Sequence, residues 1–159
     1  TGELLLHGGT TITSQNASPG PAIAGTGNLA IDPDTVLQGF TNPPFDPNLT
    51  VVSRTIPGLD AAAGTLGGNA SATLAVPAGA TGVLFVGFAA TPTFVPGLLD
   101  PLWLAGPVRM AVGGAPTVTA SYAVPNATWV RGLQIAWRGA VLTGGGAIEL
   151  SNPALYAHL

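Results

Sequence analysis

Short apolar runs, cut apart by glycine and proline, set the rhythm of this chain. Over residues 129–138 the alternation is clean. Trp129, Arg131, Leu133, Ile135 and Trp137 fall on one side of an extended segment, with Val130, Gly132, Gln134, Ala136 and Arg138 on the other. That period of two marks a strand with one apolar face, and Leu133, Ile135 and Trp137 are its expected core residues. Residues 82–90 are apolar on both sides, Val83 and Phe85 opposing Leu84, Val86 and Phe88. This predicts a central strand buried on both faces. Further strand-like runs lie at residues 3–7, 49–53, 72–76, 108–112, 117–124 and 147–150. Long helices do not fit between so many breakers. The pattern predicts an all-β, single-domain β-sandwich of jelly-roll or immunoglobulin-like type, with about 8–10 short antiparallel strands.

Two departures from this rhythm carry information. Residues 72–77 (Ala-Thr-Leu-Ala-Val-Pro) are echoed by residues 120–125 (Ala-Ser-Tyr-Ala-Val-Pro). In each, proline removes the next backbone donor and ends the strand, which predicts two equivalent strand-turn-strand units. From Ser14 to Asp46 the chain is instead broken by Pro19, Pro21, Pro33, Pro43 and Pro44, with Pro47 just beyond, and reads as an ordered meander or a partner-contacting arm. Residues 1–13 stand apart as a strand of their own. Leu4 and Leu6 alternate with Glu3, Leu5 and His7, so this strand pairs either within its own chain or, exchanged, with a neighbour. Its assembly residues are Leu4, Leu5, Leu6 and Ile12, and residues 14–159 form the sandwich.

Composition narrows the function. Of 159 residues only 7% are charged while 47% are hydrophobic, and the net charge is -3. The four basic residues are all arginine: Arg54, Arg109, Arg131 and Arg138. Nucleic acid is therefore a poor partner. Long apolar edges with so little charge need covering or polymerisation to escape random aggregation, which points to a homo-oligomer or polymer. Without lysine, such a polymer is held without Lys–Asn isopeptide bonds. Cysteine is absent, which excludes disulfides, thiolate metal sites and a cysteine nucleophile. No apolar run approaches the roughly 20 residues of a membrane helix. A start at Thr1, with no basic and apolar leader, suits a secreted protein, extracellular or at the cell surface, whose signal peptide has been removed.

Candidate chemistry is sparse. The titratable supply is Glu3, Glu149, Asp32, Asp34, Asp46, Asp60, Asp100, His7 and His158, none in a recognised catalytic motif. A hydrolase would need two of these carboxylates roughly 5–9.5 Å apart in a cleft. Asp32-Pro33-Asp34, with Asp46-Pro47-Asn48 further on, offers the oxygen ligands of a structural calcium; the same spacing opens ordinary turns, and both readings stand. No other cofactor is expected. Four N-x-S/T sequons begin at Asn16, Asn48, Asn69 and Asn126, either glycosylation sites of a secreted glycoprotein or plain turn residues. For sugar binding, which favours exposed planar rings, Trp103 leads, ahead of Tyr122 and Trp129; burial of all three in the core is the other reading.

From about Val76 onward the chain resembles a β-rich domain that recurs at the C-termini of secreted planctomycete and myxobacterial proteins. The resemblance is carried by Gly82-Val-Leu-Phe-Val-Gly87, the Leu-Trp-Leu-Ala segment, Val108 to Val112, Ala123-Val-Pro125, Gly132-Leu-Gln134-Ile-Ala136 and Leu150-Ser-Asn152-Pro-Ala-Leu155. In that family the last two read roughly as a strand ending Gln-Ala and a closing Ser-Asn-Ala-Leu; here Ile135 and Pro153 intervene. The resemblance implies an extracellular β-sandwich without catalytic residues. Gln134 and Asn152 are then expected to be internal hydrogen-bonders at sheet ends. The expected function is a non-enzymatic structural or adhesive subunit that self-associates, into a filament if the first strand is donated. The alternative is a carbohydrate-binding module using Trp103.

Overall fold

The computed structural model describes residues 3–18, 21–40, 44–96, 98 and 100–159. Pro19 and Pro43 lie outside the described residues. What is described is all-β, thirteen strands and a single 3-10 turn with no α-helix. The chain separates into two units, Thr1–Ile56 and Pro57–Leu159.

The first unit holds β1 (Glu3–Leu6), β2 (Thr11–Ser18), β3 (Gly27–Ile31), β4 (Val36–Phe40) and β5 (Leu49–Ser53). Every pairing among them is parallel: β1 with β3, β3 with β5, β2 with β4, and a single bridge from Ile23 to Phe45. Parallel partners require the chain to travel round between them. Here each return is completed by the next pairing zone, so the chain winds as a flat-sided coil. Glu3 pairs with Asn28 and Thr11 with Val36, each 25 residues on. Ser18 pairs with Phe40, Ile23 with Phe45 and Gly27 with Leu49, each 22 residues on. The whole difference is absorbed within β2, where the register shifts between Thr13 and Ser18. Gly39 faces this bulge with φ +79, and a Cβ on it would stand 2.5 Å from the Ser14 carbonyl oxygen, so only glycine fits.

The second unit is a β-sandwich. One sheet has the order β10 (Thr117–Ala123), β7 (Asn69–Ala75), β6 (Leu59–Ala62). The other has the order β12 (Ile148–Leu150), β11 (Gln134–Leu142), β8 (Thr81–Thr93), β9 (Leu102–Gly114), with β13 (Ala154–Ala157) also on β11. All these pairings are antiparallel. Leu74, Leu84, Val118, Trp137 and Val141 fill the space between the sheets. A Cβ on Gly139 would overlap the Leu74 side chain, so the missing side chain lets Leu74 seat against β11. Asn152 joins the sheets at one end like an extra strand residue: its Nδ2 donates to Leu59 O at 2.9 Å and its Oδ1 accepts from Leu59 N at 2.8 Å. Gln134, the other expected internal hydrogen-bonder, is exposed.

Three expectations change. Residues 129–138 are not one strand: Thr128–Val130 is the 3-10 turn and β11 starts only at Gln134, leaving Trp129 75% exposed. Ile135 and Trp137 are buried as expected, while Leu133 is half-buried. β8 is central, between β11 and β9, but apart from Gly82 only Leu84 is buried; Val83 and Phe85 are half-buried and Phe88 is exposed. At 13 residues against the 7 of β7 and of β10, β8 outruns the sheet that covers it. The two echoed segments are partners of each other, pairing antiparallel at Ala72↔Ala120.

Candidate functional site

Two features stand out, the open edges of the coil and an apolar groove in the sandwich. In the coil, β3 is flanked on both edges, and its Leu29 and Ala30 are completely buried. Their register partners on the outer strands are exposed: Leu4 at 49%, Val51 at 40% and Val52 at 48%. A coil contacts only its neighbours, so terminal coils keep an uncovered apolar edge unless something caps them. Strand edges are normally guarded by proline, charge or irregularity. The edge strand β9 has all three: Pro107, Arg109 and repeated register shifts against β8. β5 reads Leu-Thr-Val-Val-Ser, with no proline and no charge, and its last four residues are exposed. β1 carries a single charged residue, Glu3, at its start.

The groove, of about 360 Å³, lies where β8 and β9 extend past the smaller sheet. Val86 and Phe88 of β8, Val108 and Met110 of β9, and Ile135 of β11 form its walls, and the exposed indole of Trp129 stands at its rim. Two of its lining residues, Tyr122 and His158, belong to a chain of hydrogen bonds that runs beneath it as its floor and whose direction is set at both ends. Gly64 O can only accept, so His158 Nδ1 donates to it, at 3.1 Å. Trp137 Nε1 can only donate, and does so to Tyr156 Oη at 3.2 Å. Tyr156 Oη lies 2.7 Å from Tyr122 Oη, which lies 3.1 Å from His158 Nε2. With the ring neutral, Tyr156 donates to Tyr122 and Tyr122 to Nε2, so every group is used.

This floor makes a testable link to pH. Burial above all raises the Tyr122 hydroxyl well above the ordinary tyrosine value of 10.0. In the unfolded chain Tyr122 releases its proton near pH 10, and in the folded protein it does not. Above about pH 10 the unfolded state therefore binds fewer protons at this group, and the contribution of Tyr122 to stability falls as pH rises. Arg138, whose guanidinium is lowered in the fold, acts in the opposite sense over the same range, so the comparison is with Tyr122→Phe: relative to that variant, the urea midpoint of the wild type is expected to hold from neutral pH to near pH 10 and then fall. An equally steep decline in the variant would refute the assignment.

On the opposite face of β11 from Trp137, Arg138 is 2% exposed and faces the charge of Asp100, also 2% exposed. Burial pushes the guanidinium down to about 10, with Asp100 pulling the other way, so Arg138 stays cationic at neutral pH.

The remaining candidates from the sequence are dispersed. Asp32 is buried, and its carboxylate works as a backbone acceptor: Oδ1 takes Asp34 N at 2.9 Å and Oδ2 takes Ile56 N at 2.6 Å. Asp34 itself is exposed. Asp46 does the same for Asn48 N at 2.9 Å, and that bond above all holds its carboxyl below the usual value. Among the described residues no three His, Cys, Asp or Glu side chains gather as a metal site. Asn48 spends its Nδ2 on Asp46 at 2.8 Å; Asn69 and Asn126 are exposed, and Asn16 lies in the bulged stretch of β2. Trp103 is half-buried on β9 and does not line the groove, where the exposed rings are Trp129 and Phe88. β1 and β2, which hold Leu4, Leu5, Leu6 and Ile12, pair with β3 and β4 of the same chain. No helix among the described residues is long and apolar enough to cross a membrane.

The groove floor was missed from sequence. Its one signal is that Tyr156 and His158 are two apart, hence on one side of an extended segment; Tyr122 and Trp137 reach them only through strand pairing.

No family model matches the chain, and no curated protein is found to be similar to it.

Proposed function

We propose that this chain is a non-enzymatic structural subunit that self-associates through the strand edges of its parallel coil. The observation that carries this reading is β5, an unguarded edge with Val51 and Val52 exposed at 40% and 48%, in a chain that does guard β9. A low charge content supports it, because little surface repulsion opposes contact between copies. So does the chemistry of the groove. The described residues lining it include no carboxylate, and both ring nitrogens of its histidine are engaged, an arrangement suited to contact rather than acid–base work. An extracellular or cell-surface setting, as the family resemblance implies, belongs to the same proposal.

Light scattering across a concentration series tests it. The expected result is a mass that climbs above the 15.7 kDa of one chain as concentration rises, and that falls back on dilution. A mass fixed at one chain throughout would overturn the proposal.

A further inference from the structure

Resting on that self-association, we infer that copies join head to tail, β5 of one copy pairing in parallel with β1 of the next. The occupant of each open edge is thus a second copy of this chain, and the coil itself supplies the pattern. β3 pairs with β1, and β5 with β3, in one direction and one stacking sense. The edge that β5 leaves open is therefore the same kind of surface that β3 offers to β5, and the open edge of β1 is its complement.

The side chains continue the same columns. Leu4, Leu29 and Val51 stack in register, as do Leu5, Ala30 and Val52. Carried one step further, Val51 meets Leu4 of the next copy and Val52 meets its Leu5. This junction covers the three outer side chains that the isolated chain leaves most exposed in these columns, Leu4, Val51 and Val52.

Two different edges meeting make a heterologous contact, which does not close on itself unless a ring forms, so the product is an open chain of copies. The junction is a ladder of only four or five residues. That is small beside the roughly 800 Å² per partner of a stable interface, and assembly is expected to need high concentration.

The test uses complementation. Leu4→Lys guards one edge and Val52→Lys the other, in the way charge guards natural edges. At a concentration where the wild type has at least doubled its mass, each variant alone is expected to stay at one chain. Their equimolar mixture is expected to stop at pairs, because one variant keeps an intact β5 edge and the other an intact β1 edge.

Because the chain has no cysteine, a second measurement is available that adds no charge. Leu4→Cys and Val51→Cys, mixed and oxidised, are expected to form a disulfide-linked pair severalfold faster than either variant alone.

Assembly of either lysine variant as in the wild type would overturn the head-to-tail junction, as would a mixture that stays monomeric. So would a Val51→Cys protein that cross-links with itself as fast as with its partner, the mark of two like edges meeting. In each of these cases self-association survives. It fails separately, and takes the junction with it, only if the wild type never grows.

Discussion

Trp137→Ala is expected to cost about 3–5 kcal/mol, the range for removing a large aromatic from a packed core. Trp137 is completely buried at the contact between the two sheets of the sandwich and belongs to the same cluster as Leu74, Leu84 and Val141. It stacks at a tilt on Tyr122, with ring centroids 5.8 Å apart, and its indole N–H anchors one end of the groove floor. Alanine removes the ring and the donor together. Trp137→Phe separates the two effects, because it keeps most of the volume and loses the donor; about 1–2 kcal/mol is expected for it. Urea unfolding measures both as shifts of the midpoint at unchanged slope. A Trp137→Ala loss below about 1 kcal/mol would show that this residue does not hold the sheets together.

The next residue predicts nearly as large an effect for the opposite reason. Arg138 points away from that core, yet is buried, and its Nε and Nη1 make no hydrogen bond among the described residues. Its partner in charge is Asp100. Such a pair adds little to stability relative to apolar groups of similar size, but removing one member leaves the other charge buried without that counter-charge. Arg138→Ala is therefore expected to cost about 3–5 kcal/mol. The double variant Arg138→Met with Asp100→Leu, which removes both charges and keeps volume, is expected to be more stable than either Arg138→Met or Asp100→Leu alone. Losses that simply add in the double variant would show that the two charges are not coupled.

What the sequence showed depended on how local the cause was. β5 coincides with the run at residues 49–53, β8 was found from a run apolar on both sides, and the first half of β11 from apolar residues at a spacing of two. Those patterns are written in neighbouring residues. The parallel coil is not: its meaningful spacing is 22 or 25 residues, and the change between them inside β2 hides the repeat from inspection. Of the prolines that suggested a meander, Pro33 and Pro47 sit in turns that Asp32 and Asp46 cap with their side chains. The candidate edge was half visible. Val51 and Val52 were legible as strand residues, whereas their exposure follows from β3 covering one side of β5 and no strand among the described residues pairing with the other. Trp129 failed for a different reason, since its alternation with Ile135 and Trp137 is real in the sequence and the 3-10 turn cancels it in space.

The shift of spacing within β2 bears on how such a chain can change over generations. Whole coils are interchangeable blocks, so duplicating residues 27–48 would add 22 residues and lengthen the stack by one strand spacing, about 4.8 Å, while leaving every other pairing as it was. Insertions of other sizes would throw later strands out of step unless a single bulge takes them up. The extra residues between Thr13 and Ser18, opposite Gly39, are accommodated in that way.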